Sequence, residues 1–210
     1  IPGASEAPIG NGIINVEDVA GLTVGAEVGS DAAAARSLAL SLALQGASLI
    51  ANPAAYPATL GGGEQQQLLA GATSRRGICA YVSAGAGNGE SSSDAAWEGR
   101  TFIYQDGSKL AETEPFPSET QIALADIDLT TLANWRRRES GFADAWAGQP
   151  DKPWEVKIRL GVGAAGAAIS FDPWANVSNA ATLENPQAVL CPVPARFPFL
   201  PADQEGIDRA

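Results

Sequence analysis

The sequence contains no histidine and no methionine, and its only two cysteines are Cys79 and Cys191. Without histidine, the chain lacks the commonest general base of enzymes and the commonest metal ligand. Two widely separated cysteines form neither a disulfide framework nor a zinc ligand set. We therefore predict free thiols in the reducing cytoplasm and no metal or other cofactor, although sites built only from carboxylates stay open.

The absence of methionine also means that Ile1 is not a translation start. We expect a processing product, a truncation or an incompletely determined sequence. No basic segment followed by an apolar core opens the chain, so no signal peptide is predicted. No apolar run reaches the length of a membrane span, which predicts a protein that does not enter a membrane.

Basic residues are scarce: 13 Lys and Arg stand against 24 Asp and Glu, for a net charge of −11. Nucleic acids and anionic membrane surfaces both require clustered Lys and Arg, so neither is an expected partner. With 210 residues and 45% hydrophobic content, residues 1–210 are predicted to form a single domain, or one large piece of a domain.

Hydrophobic patterning predicts a buried strand over residues 19–28, a sharp turn at Gly29 and a helix over residues 32–44. Ser30 or Asp31 is the predicted N-cap of this helix, and Gly46 its C-terminal stop. Elsewhere, alternation and turn signals predict loops, strands and helices in the order expected of an α/β layered fold. The predicted loops cover 1–18 and 53–63, the strands 47–51, 78–83, 101–104, 108–112, 122–127 and 156–160, and the helices 64–75 and 129–147. The Asp106–Gly107 pair predicts a hairpin between two of these strands.

The turn at Gly29 lies in a stretch that resembles a known family. Residues 27–31 (Glu-Val-Gly-Ser-Asp) are similar to the Glu-Ile-Cys-Glu-Asp motif of the carbon–nitrogen hydrolase (nitrilase) superfamily, in the form found in the glutaminase domain of glutamine-dependent NAD synthetases. The resemblance continues from residue 8 to about residue 142 and returns at 197–203. Its further motifs lie at 45–53, 75–82, 87–91, 99–112 and 125–128.

The resemblance implies a nitrilase-like αββα sandwich, of which only the C-terminal half is expected in this chain. Residues 150–196 are a divergent segment rich in Gly, Pro and Ala, and residues 197–210 resemble the linker-like end before a synthetase domain. Half a sandwich would expose a sheet face and strand edges. We therefore expect a homo-oligomer, or a complex with a complementary chain that carries the other half.

The family hydrolyses amides with a Cys nucleophile, a Glu base and a Lys that stabilises the oxyanion. Gly29 occupies the position of this Cys. The resemblance therefore implies the nitrilase scaffold, but glycine at this position removes the nucleophile. Ser30 and Asp31 follow in the same turn; Ser30 is a candidate nucleophile or a helix cap, and Cys79 is expected to be a buried, inert thiol. Asn52, Tyr56, Glu90 and Ser91 are the implied substrate-binding residues, although Glu90 and Ser91 equally suit a solvated turn.

Three functions remain open from the sequence. The first is a glutaminase domain related to glutamine-dependent NAD synthetase, which in the family supplies ammonia for NAD biosynthesis and is expected to be inactive as this isolated chain. The second is a non-catalytic nitrilase-like scaffold or regulatory subunit. The third is a weak nucleotide-binding module at residues 161–166, whose Gly-x-Gly-x-x-Gly spacing follows a predicted strand.

Overall fold

The computed structural model describes residues 11–87, 89–90, 95–147 and 153–160. They form one seven-stranded mixed sheet in the order β6-β5-β4-β3-β2-β1-β7. The strands are β1 (Gly12–Val16), β2 (Thr23–Ala26), β3 (Leu49–Ala54), β4 (Ala80–Gly85), β5 (Thr101–Gln105), β6 (Ser108–Glu112) and β7 (Trp154–Ile158). The helices are α1 (Leu38–Leu44), α2 (Gly62–Gly77), α3 (Leu129–Arg138) and α4 (Ser140–Ala147), and a 3-10 turn spans Gly29–Ala33. The predicted α/β class is confirmed.

Strands β2, β3 and β4 are parallel and are joined through α1 and α2, which gives two successive strand–helix–strand units. Strand β1 pairs antiparallel with β2, and β5 and β6 continue the sheet beyond β4 as an antiparallel hairpin. Parallel strands need such crossover helices, and the helices must bury an apolar side on the sheet. The result is one helical layer on one sheet, which corresponds to one α-layer and one β-layer of the predicted sandwich.

The core lies between the helices and one face of the sheet. Ala39, Leu42 and Ala43 of α1 meet Ile50 of β3 and Tyr81 of β4, and all five side chains are buried. Ile13 of β1 also belongs to this core. Because side chains alternate along a strand, the next residue, Ile14, faces the opposite side of the sheet. Because β2, β3 and β4 run in the same direction, their carboxyl ends and the loops that follow them lie at the same edge of the core.

Helix α1 begins later than predicted. The structure places a 3-10 turn at Gly29–Ala33 and starts the α-helix at Leu38, where the Ser37 side chain accepts a hydrogen bond from the Leu40 N–H. The prediction that Ser30 or Asp31 caps this helix is therefore wrong. Asp31 instead accepts from the Val28 N–H and closes the 3-10 turn. Gly46 does end the helix as predicted, at a φ of +117°.

Three further predictions are wrong. Residues 12–16, predicted as loop, form β1, because burial of Ile13 and Val16 outweighs the surrounding glycines. Residues 122–127, predicted as a strand, are irregular, and Ile122 is 71% exposed, so no packing supports an extended strand there. The helix predicted over 129–147 is interrupted at Glu139 and forms α3 and α4.

Arg136 joins the helical layer to the sheet. Its guanidinium donates to the carbonyl oxygens of Ile78 (2.9 Å), Ala47 (2.6 Å) and Gly77 (3.0 Å), which lie at the C-terminal end of α2 or shortly after α1 and α2. The ring of Phe142 lies 5.0 Å from the guanidinium carbon and covers it. Burial lowers the pKa of Arg136, and its hydrogen bonds to three carbonyls compensate for this desolvation. Arg136 is thereby partly buried, whereas Arg137 and Arg138 of the same helix are exposed.

None of the helices in the described ranges is both long and apolar enough to cross a membrane.

Candidate functional site

The candidate site is the turn that follows β2 at the edge of the sheet. Gly29 adopts a φ of +51°, which favours glycine because a side chain would be strained there. A Cβ built on Gly29 meets no atom within 4 Å, so this position faces open space. The turn therefore exposes position 29 to solvent, but glycine places no side chain there.

Both backbone polar groups of Gly29 are held by neighbouring side chains. The Gly29 N–H donates to Asn52 Oδ1 at 3.1 Å, and the Gly29 carbonyl accepts from the hydroxyl of Tyr56. Asn52 is buried near the end of β3, and Tyr56 follows in the loop before α2. Burial raises the pKa of Tyr56, which keeps its hydroxyl protonated as a donor. The structure therefore brings together three of the predicted site residues.

A buried carboxyl group lies directly behind this turn. Glu27 is 1% exposed, and its Oε1 accepts from the Tyr81 hydroxyl at 2.5 Å and from Asn52 Nδ2 at 3.4 Å. Its Oε2 accepts from the N–H of Ala39 in the first turn of α1 at 3.2 Å. Asn52 Nδ2 also donates to the Tyr81 hydroxyl oxygen at 2.8 Å. Glu27 thus links β2, β3, β4 and the start of α1 in one network.

The environment of Tyr81 explains the direction of these bonds. Burial, followed by the adjacent Glu27 carboxyl group, raises the pKa of Tyr81 above its usual range. The phenol therefore stays protonated and donates to Glu27. A neutral phenol beside a buried acid serves as a fixed structural support.

Sequence reasoning quoted Glu27 only as part of a motif and did not select Glu27 or Tyr81 as site residues. A signal was present: Glu27 is the one charged residue in the apolar stretch that leads to the turn. Charged side chains are almost never fully buried unless paired. A partner was therefore to be expected on a neighbouring strand, although the sequence does not identify which residue it is.

The remaining predicted residues lie apart from this network. Ser30 is exposed, and within the described ranges its hydroxyl makes no hydrogen bond to a base that could activate it. Glu90 is exposed and lines a different, polar cavity beside Thr101 and residues 117–121. Ser91, residues 161–166 and Cys191 fall outside the described residues.

Cys79 is fully buried immediately before β4. Burial raises the pKa of the Cys79 thiol to about 12, so only a very small fraction is thiolate near neutral pH. This agrees with the predicted inert thiol and excludes Cys79 as a replacement nucleophile. Among the residues described, no group of three or more Cys, Asp or Glu side chains lies close enough to hold a metal ion.

Comparison with known proteins adds sequence relatives. A scan against protein-family models finds no match. The chain is 36% identical over 143 residues to a glutamine-dependent NAD(+) synthetase of Mycobacterium leprae, which covers 68% of this chain and 21% of the relative. It is 43% identical over 99 residues to the enzyme of the same name from Mycobacterium bovis, which covers 47% of this chain and 15% of the relative.

The chain resembles glutamine-dependent NAD(+) synthetases. The resemblance predicted from the sequence is thereby confirmed. The chain spans about a fifth or less of the length of the curated relatives it matches. Among solved structures, a carbon–nitrogen hydrolase from Helicobacter pylori G27 is similar with a TM-score of 0.48 and 18% identity, which covers 58% of this chain and 45% of that one.

Proposed function

We propose that this chain is a nitrilase-like domain related to the glutamine amidohydrolase part of glutamine-dependent NAD synthetases, and that it is catalytically silent on its own. In that family the domain supplies ammonia for NAD synthesis in the cytoplasm. The observation that carries the proposal is the turn at Gly29 in a chain that is 36% identical over 143 residues to a glutamine-dependent NAD(+) synthetase. Such turns mount nucleophiles in hydrolases, and glycine has no group that attacks an amide.

The surroundings of Gly29 support loss of catalytic activity rather than transfer of the nucleophile to another residue. Ser30 makes no hydrogen bond to a base among the described residues, and the Cys79 thiol is buried with a pKa of about 12. The polar groups nearest Gly29 are already engaged, since Asn52 and Tyr56 bind its backbone and Tyr81 binds Glu27. The network holds the shape of the turn, and none of these three side chains is free for covalent chemistry.

The first prediction is that the chain alone produces no ammonia from glutamine above the uncatalysed background. Loss of one member of a catalytic unit costs nearly as much activity as loss of all of them. The measurement is a coupled ammonia assay with purified chain at high micromolar concentration. Hydrolysis above background would overturn the proposal of a silent domain. Its persistence in both Ser30→Ala and Cys79→Ala would show that the nucleophile is a residue other than these two.

A second candidate function, a non-catalytic scaffold, is favoured by an exposed apolar patch on the sheet. Trp154, Val156 and Ile158 alternate along edge strand β7 and are 38%, 42% and 36% exposed. Ile14 pairs with Val156 on the same face and is 37% exposed. This face is opposite the one that packs on the helices, because the adjacent Ile13 belongs to the buried core. Adjoining exposed apolar side chains on an edge strand favour association.

The second prediction is therefore self-association through this patch. Sedimentation velocity is expected to show a concentration-dependent oligomer at micromolar concentration, and Val156→Lys to shift the chain towards monomer. Ile122→Lys is the matched control, since Ile122 is more exposed but lies outside the sheet. A monodisperse wild-type monomer, or an equal effect of the two substitutions, would argue against a second copy on this face.

A further inference from the structure

A cavity of about 270 Å³ lies between α2, the sheet and the 3-10 turn. Leu69 of α2, Phe102 of β5 and Ala32 of the turn supply apolar wall, and Gln65, Gln66 and Ser83 supply polar groups. Gly29 and Glu27 are not part of its lining. Its wall also includes the rings of Tyr56 and Tyr81, whose hydroxyls are engaged in the turn network.

Ser83 differs from the other buried hydroxyl residues. Ser48, Ser74 and Thr113 are between 0% and 8% exposed, and each side chain has a hydrogen-bond partner. Ser83 is 4% exposed, lines the cavity and has no side-chain hydrogen bond to any described residue. The Ser83 hydroxyl is therefore free to bond a polar group of a molecule that enters the cavity.

The lining limits the chemistry of that group. No described side chain around the cavity carries a formal charge, so an ion would lose its hydration without gaining a counter-charge. A serine hydroxyl and glutamine amides both donate and accept hydrogen bonds, which suits a polar head that does the same. Apolar cavities of about 150 Å³ accept benzene, so this volume has room for one substituted ring.

We infer that this cavity is a binding site for a small uncharged molecule that has an apolar body and one polar head able to donate and accept hydrogen bonds. The head bonds Ser83 and a glutamine of α2, and the body packs on Leu69, Phe102 and Ala32. Binding here needs no nucleophile, and it is independent of whether the proposed amidohydrolase relationship or its silence holds. A free amino acid such as glutamine is a poorer occupant, because none of the lining side chains supplies a counter-charge for its two charged groups.

The test uses benzamide as the uncharged probe and benzoate as its charged match in shape. Isothermal titration of the full 210-residue chain is expected to give saturable binding of benzamide at one site and at least about tenfold weaker binding of benzoate, because of the uncompensated charge. No saturable benzamide binding up to its solubility, or equal binding of the two probes, would overturn the assignment.

Two variants locate the site. Ser83→Ala is expected to weaken benzamide binding by about three- to tenfold, as loss of one hydrogen bond does. Ala32→Phe is expected to fill the cavity and abolish binding. Ser108→Ala, at an exposed position of β6, is the matched control and is expected to bind like wild type. If folded Ser83→Ala and Ala32→Phe, checked by circular dichroism, bind benzamide as wild type does, the probe lies elsewhere and the inference is wrong.

Discussion

Replacing Glu27 with alanine is expected to lower the free energy of unfolding by about 4 kcal/mol, a shift of roughly a thousandfold in the folding equilibrium. The substitution removes the acceptor for the Tyr81 hydroxyl, for Asn52 and for the Ala39 N–H at once. Each buried donor left without a partner costs about 1–3 kcal/mol, and the vacated volume adds a cavity term. Urea unfolding followed by tryptophan fluorescence or circular dichroism measures the change.

Controls separate the network from a general effect of removing a carboxyl group. Glu119→Ala, at an exposed position between β6 and α3, is expected to change stability by less than about 0.5 kcal/mol. Tyr81→Phe removes one donor and is expected to be milder than Glu27→Ala. The double variant should cost less than the sum of the singles, because the two residues share a hydrogen bond. A Glu27→Ala effect below about 1 kcal/mol, or full additivity with Tyr81→Phe, would contradict the network.

The elements that the sequence predicted well are those set by local chemistry. The Asp106–Gly107 pair forms the hairpin turn between β5 and β6, with both residues at positive φ, as its dipeptide type requires. Gly46 ends α1 for a similar reason: the N–H of Gly46 donates to Ala43, and the N–H of Ala47 donates to Leu42, which closes the helix with a left-handed residue. A few neighbouring residues determine each of these features.

The elements that the sequence predicted poorly depend on contacts between distant segments. An alanine-rich run after Gly29 favours helix by propensity, yet α1 starts only at Leu38, where Glu27 and Ser37 bind its first free N–H groups. Two side chains cap this start, and one of them, Glu27, comes from the position directly after β2. In the same way, residues 122–127 have the composition of a strand but no neighbour to pair with among the described residues.

The residues of the candidate site differ in the same way: some are predictable from short local motifs, and others depend on contacts between distant segments. Gly29 was identified from a short motif, and Asn52 and Tyr56 from their spacing in the resemblance, and the structure brings these three into contact. The sequence does not single out Glu27 and Tyr81, because their importance lies in burial and in a hydrogen bond between β4 and the residue that follows β2. Which of these residues would bind a substrate remains part of the proposal, since their observed partners are one another.

The Gly29→Cys substitution is expected to create a thiol that reacts with iodoacetamide at pH 8 at least about 100-fold faster than Cys79. The added Cβ would face open space, since no atom lies within 4 Å of it. Cys79 is buried, with a pKa of about 12, and its small thiolate fraction limits its rate. The reaction is followed by intact mass in a Cys191→Ser background, so that only the two thiols in question remain.

The backbone sets a cost on this substitution. A side chain at a φ of +51° is unfavourable by about 1 kcal/mol, which the fold should tolerate because Asn52 and Tyr56 still hold the backbone of residue 29. The start of α1 lies at Leu38, so its dipole does not act on residue 29 and the reactivity rests on exposure. Gly89→Cys, whose Cβ also meets no neighbour, is the matched control for an ordinary exposed thiol.

A thiol at position 29 that reacts as fast as the one at position 89 would show that the turn presents its side chain to solvent, as a nucleophile position requires. No turnover of glutamine is expected from this variant, because a thiol alone supplies neither a base nor an oxyanion donor. A thiol at position 29 no faster than Cys79 would mean that the turn folds over its own side chain. The equivalence of Gly29 with the family's nucleophile would then lose its geometric support, whatever the sequence identity around it.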